Sequence, residues 1–244
     1  MVLTNTVDEL HVINPALRDW GFLGRQVDET FLGALPQLRR LHFSRISVHP
    51  AGRTIPTNIV TLHELRYICM DDVDPQAVML LFRTRFPNLA TLAIRCHTYP
   101  HERPEESFIP DTYYQSSLHT AILYNIDTRD TITLLSGAPH LKCLAVSSFD
   151  YWWDLGYLED IRVVPELSSL TIFSPWKLDS QVCEVVKRRS PVLKRLTMHD
   201  GALLDAVEDE EFGQMMEWMR AHAHVRLLPT DELAFAYLAA LAVP

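Results

Sequence analysis

Pro36-Gln37-Leu38-Arg39-Arg40-Leu41-His42-Phe43 states a phrase, Pro-x-Leu-x-x-Leu-x-apolar, that returns at Pro87 to Ile94, Pro139 to Val146, Pro165 to Ile172 and Pro191 to Met198. Its leading leucines, Leu38, Leu65, Leu89, Leu141, Leu167 and Leu193, are separated by 27, 24, 52, 26 and 26 residues, and 52 is two periods. A spacing of that size marks a chain built from repeated units. The unit missing between Leu89 and Leu141 has a degenerate candidate at Leu118-His119-Thr120-Ala121-Ile122-Leu123. Weaker copies flank the array at Leu10-His11-Val12-Ile13 and Val225-Arg226-Leu227-Leu228.

Within each unit the apolar residues alternate, as a short strand with one buried face requires. Strands are therefore expected at 38–43, 65–70, 89–94, 141–146, 167–172 and 193–198, all parallel. Leu41, Leu92, Leu144, Leu170 and Leu196 hold equivalent places and should stack in one buried row. Two of the intervening segments read as helices. Asp74 to Arg85 places Val78, Leu81 and Phe82 on one face, and Asp179 to Arg189 does the same with Val182, Val185 and Val186; both open on acidic and close on basic residues, which complements the helix dipole. Strand, turn and returning helix, repeated, make an α/β solenoid with a parallel sheet on its concave side and helices on the convex side.

A period near 26 around Leu-x-x-Leu-x-apolar is that of leucine-rich repeats. The asparagine that many such repeats carry after the strand is missing, because Ile46, Val73, His97, Phe149, Pro175 and Gly201 stand at those places. Uneven turns are expected. Residues 1–244 read as a single domain with an irregular insertion at about 95–117, rich in proline and acid and carrying Tyr113 and Tyr114. Asp231 and Glu232 open an apolar run in which Leu233, Tyr237, Leu238 and Leu241 share a face, so a capping helix is expected at about 230–242.

The 244 residues are 48% hydrophobic and carry a formal net charge of -9, which opposes nucleic-acid binding as the main task. No apolar run approaches the ~20 residues that cross a bilayer, and no basic, apolar leader opens the chain, so no membrane association is expected. Cys69, Cys96, Cys143 and Cys183 show no paired spacing. Reduced thiols and a cytoplasmic or nuclear location follow. Neither a Gly-rich phosphate loop, a Gly-x-Ser-x-Gly nor a His-Glu-x-x-His is present, and the reading is of a chain without catalytic residues, metal or cofactor. Cys96, His97 and His101 lack a second ligand cluster at zinc-site spacing. His222 and His224, two apart, do not share a helix face.

The clearest functional signal lies at the x positions of the strands, which should face outward on the concave side. Arg39, Arg40, Arg66, Lys142, Lys194 and Arg195 supply a cationic bias there and no acidic residue offsets it, although the chain has 31 acidic against 22 basic residues. Such a face suits an acidic or phosphorylated protein segment. Tyr151, Trp152 and Trp153 follow a strand directly and are candidates for an apolar anchor at its rim.

With these units in view, the chain resembles the leucine-rich-repeat region of fungal-type F-box/leucine-rich-repeat proteins over about residues 7 to 230. In that family an N-terminal F-box grips the adaptor of a cullin-type ubiquitin ligase and the repeats select the substrate. Residues 1–35 carry no Leu-Pro-x-Glu-type opening, so what the resemblance implies for this chain is substrate or partner recognition, as in the substrate-recognition part of an F-box-type ubiquitin ligase receptor. A regulatory leucine-rich-repeat protein, of inhibitor or GTPase-activating type, is the alternative.

Overall fold

The computed structural model describes residues 9–13, 35–44, 61–73, 78, 84–96, 115–147, 155–173, 180–199 and 210–228. A β-turn starts four of the repeats, and proline explains it. The Leu35, Phe86, Ala138 and Val164 carbonyls accept the N–H groups of Leu38, Leu89, Leu141 and Leu167 at 3.1 to 3.2 Å, with Pro36, Pro87, Pro139 and Pro165 at the second turn position, where their fixed φ is already correct. The degenerate unit makes the same turn with serine in that place, Gln115 accepting from Leu118 at 3.2 Å. The leading leucine thus belongs to the turn. Strands consequently start two residues later than the alternation alone suggests.

Among the described residues nine strands result: β1 (Glu9–Ile13), β2 (Arg40–Ser44), β3 (Tyr67–Val73), β4 (Thr91–Cys96), β5 (Thr120–Tyr124), β6 (Cys143–Ser147), β7 (Ser169–Ile172), β8 (Arg195–His199) and β9 (His224–Leu228). They form one sheet in strict sequence order, every neighbouring pair parallel. The degenerate unit is β5, and the two weak flanking copies are β1 and β9. Three helices are described between strands: α1 (Thr128–Ser136), α2 (Ser180–Arg189) and α3 (Glu210–His222). Asp127 caps α1 by accepting the Arg129 N–H at 2.7 Å, which satisfies one of the donors a helix start leaves open.

The register aligns the repeats residue for residue. Leu38, Leu65, Leu89, Leu118, Leu141, Leu167 and Leu193 make one buried row. Leu41, Ile68, Leu92, Ala121, Leu144, Leu170 and Leu196, paired in that order across the strands, make a second. Phe43, Met70, Ile94, Leu123, Val146, Ile172 and Met198 make the third. Leu134 and Leu135 of α1, Val182, Val185 and Val186 of α2, and Met216 and Met219 of α3 pack into the same cluster. The described helices therefore cover one face of the sheet. Of the helix expected at 74–85, Val78 is described, helical and buried; its expected end is corrected, because Thr84 lies in a bend and Arg85 bridges to Thr61, while 74–77 and 79–83 lie outside the described residues, as does the expected C-terminal helix.

Of the residues expected as an insertion, Arg95 and Cys96 belong to β4 and Gln115 to Ser117 belong to the turn before β5, and 97–114 lie outside the described residues. Among the described residues, no helix is long and apolar enough to cross a membrane.

Candidate functional site

A carbonyl ladder sets the geometry of the strand-entry edge. The Arg39 carbonyl accepts the N–H groups of both Arg66 and Tyr67, and the Arg66 carbonyl accepts those of Ala90 and Thr91. Ala90, His119, Lys142 and Ser168 repeat the pattern toward the next strand, and Lys194 accepts from His224 at 2.9 Å. Arg39, Arg66, Ala90, His119, Lys142, Ser168 and Lys194 therefore form a single column across the sheet, rising ~4.8 Å per strand. The side chains of Arg39, Arg66, His119, Lys142 and Lys194 are exposed. Arg40 and Arg195 stand in the next column, at either end of the array, with Arg40 partly buried and Arg195 exposed.

This places all six basic residues singled out by sequence along one edge, in two groups. Arg39, Arg40 and Arg66 gather at β2 and β3. Lys194 and Arg195 gather at β8, beside His224 of β9, with Lys142 between the groups. From β2 to β9 the three outward columns contain no carboxylate; Glu9 of β1 pairs with Arg40. Two carboxylates stand nearby in the turns. Glu64 precedes Arg66 by two residues, and Glu166 pairs with His140 at 2.8 Å. That hydrogen bond holds the Glu166 carboxyl below the usual carboxylate range. Among the described residues, Arg39, Arg66, Lys142, Lys194 and Arg195 form no ion pair, so their charge faces solvent.

The middle of the same sheet face corrects the sequence reading, which took the x positions as facing outward on the concave side. Tyr67, Cys69, Ala93, Ile122, Tyr124, Ala145 and Phe173 form a second buried apolar cluster there. Tyr124 and Phe173 meet with ring centroids 6.5 Å apart, although β6 runs between their strands. Ser147, at the β6 position between them, is buried and its hydroxyl has no hydrogen-bond partner. A parallel sheet is ordinarily covered on both faces. The signal was present in the sequence one residue beyond the alternating phrase, where Tyr124 and Phe173 stand, and in the degenerate unit, which contributes Ile122.

Cys69 sits in this cluster, paired across the strands with His42 and Ala93. Burial, partly opposed by a hydrogen bond with the Tyr67 side chain, pushes its thiol up to about 11. It is a protonated thiol at neutral pH and no nucleophile. All four cysteines are free. Beyond it, at the exit end of the strands, Asp71 and Arg95 form an ion pair at 2.6 Å.

Asn125 does locally what a ladder asparagine would do. It takes a left-handed backbone, φ 60, donates its side-chain amide to the Cys96 carbonyl at 3.4 Å and its N–H to the Ser147 carbonyl at 2.8 Å. Only asparagine, aspartate and glycine enter that conformation readily.

On the helical side, α2 and α3 leave a shallow cavity of about 280 Å³ lined by Cys183, Glu184, Lys187 and Trp218. Among the described residues, no group of three His, Cys, Asp or Glu side chains could hold a metal ion. His222 instead stacks on Trp218 and engages its carbonyl. Tyr151, Trp152 and Trp153 lie outside the described residues. No family model, curated protein or solved structure matches this chain.

Proposed function

We propose that the chain is a noncatalytic recognition module of the leucine-rich-repeat type, its strands on the concave side, that binds another protein along its strand-entry edge. The supporting observation is the column of exposed cations at Arg39, Arg66, Lys142 and Lys194, flanked by Arg40 and Arg195, in a chain whose net charge is -9. Guanidinium groups recognise carboxylate or phosphate in a bidentate manner. A row of exposed cations, of which Arg39, Arg66, Lys142, Lys194 and Arg195 form no ion pair among the described residues, is complementary to an acidic or phosphorylated partner. The role fits that of the substrate-recognition part of an F-box-type ubiquitin ligase receptor, and four free thiols fit a cytoplasmic or nuclear setting.

Chemical cross-linking of the purified chain to its captured partner, followed by mass spectrometry, tests this. Cross-links from Lys142 and Lys194 to one protein, lost at high salt, are expected. Ligase subunits among the captured proteins would support the receptor role. A small GTPase or a hydrolase held at the same edge would assign a regulator instead, and cross-links confined to the helical side would overturn the reading.

A further inference from the structure

Resting on that reading, we infer that the edge takes one extended acidic segment laid across the strands, with two acidic groups about seven residues apart. The two cationic groups are separated along the column by the strands from β3 to β8. Five strand spacings of ~4.8 Å place Arg66 and Lys194 roughly 24 Å apart. An extended chain advances ~3.3 Å per residue, so roughly seven residues bridge that distance. A helix rising 1.5 Å per residue would need about sixteen.

Between the groups, only Lys142 and His119 are offered from the column, while Ala90 and Ser168 carry no charge. Uncharged residues therefore suit the middle of the segment. Its two ends would be held independently, each raising the local concentration of the other. A nucleic acid is the poorer occupant. Its phosphates repeat evenly, whereas the cations are bunched at the ends, and among the described residues the outward columns offer no exposed Phe, Tyr or Trp on which bases would stack.

Fluorescence anisotropy on the full chain distinguishes the cases with two synthetic peptides of identical composition. In the first, two Asp-Glu pairs flank about six uncharged residues; in the second, the four acids are contiguous. The spaced peptide should bind at least about fivefold tighter at low salt. Arg39→Ala with Arg66→Ala, and separately Lys194→Ala with Arg195→Ala, should each bring the spaced peptide to the level of the contiguous one while moving the latter by less than about twofold. Glu64→Gln should tighten both.

The four basic side chains are exposed and Glu64 is half-buried, so the melting temperature should hold in every variant. Equal affinity of the two peptides, weakened only when both cationic pairs are removed, would overturn the spaced-segment inference and leave the cationic edge standing. Binding of neither peptide at low salt would remove both. A single-stranded oligonucleotide that displaces the spaced peptide at lower concentration than the peptide itself would assign the edge to nucleic acid and overturn the inference.

Discussion

Arg189 reaches from the end of α2 to the Val164 carbonyl of the preceding repeat, 25 residues earlier, and donates to it at 3.0 Å. The same guanidinium donates to the carbonyls of Leu158, Asp160 and Val163. Val164 is a buried β-branched residue with φ 48, a backbone conformation that is costly for its type. The fork of donors holds the turn in it. Burial lowers the Arg189 pKa from its ordinary value, yet the group stays charged and its carbonyl partners offset the desolvation.

Replacing Arg189 by Met, similar in length and without donors, should therefore leave several carbonyls unsatisfied and cost about 2–4 kcal/mol. Lysine should recover only part of that, since one ammonium cannot reproduce the fork. Urea denaturation midpoints of the three proteins check the order.

The second core row contains one small residue, Ala121, between Leu92 and Leu144. Leu144→Ala should cost about 2–5 kcal/mol through lost contacts and a cavity. Ala121→Leu, which merely restores the repeat phrase, should instead destabilise by about 1–3 kcal/mol because the row is already closed. An unchanged thermal midpoint for Leu144→Ala would contradict the buried row.

Asp160 and Arg162 form a two-pronged pair, with contacts of 2.8 to 3.1 Å. The Arg162 side chain, helped by its N–H, lowers the Asp160 pKa from 3.8 to about 2. A carboxyl depressed in the folded state contributes stability that is present above its unfolded pKa and is lost as pH falls through the folded one. The contribution should thus fade between about pH 4 and pH 2 and be missing in Asp160→Asn. Chemical denaturation across that range should show a shallower acid limb in the variant.

Cys69 should resist an aromatic disulfide reagent at pH 8 while Cys143 and Cys183, which are half-buried, react. Its thiol is raised from 9.0 to about 11 by burial. A raised folded-state pKa means stability that is complete below 9.0 and is lost as pH rises through about 11. Cys69→Ser should weaken the fold by placing a more strongly polar hydroxyl in that cluster. Mass mapping of labelled cysteines before and after unfolding tests the accessibility directly.

Period and alternation in the chain determined the order and parallel direction of six strands and the buried row of Leu41, Leu92, Leu144, Leu170 and Leu196, and offered the degenerate unit at Leu118 and the flanking copies at Leu10 and Val225 as candidates for the other three. Each repeat carries its own buried pattern, and stacking equivalent units can align those patterns in only one register. The basic residues of the strand-entry edge were legible for the same reason. Tertiary structure alone decided which outward positions stay exposed. Tyr124 and Phe173 close over Ser147 only because strands from three successive repeats bring them side by side, and Arg189 finds its carbonyls only because the α2 repeat stacks on the turn at Val164. Contacts between repeats depend on lateral neighbours some 25 residues away, which no alternation within a single repeat encodes.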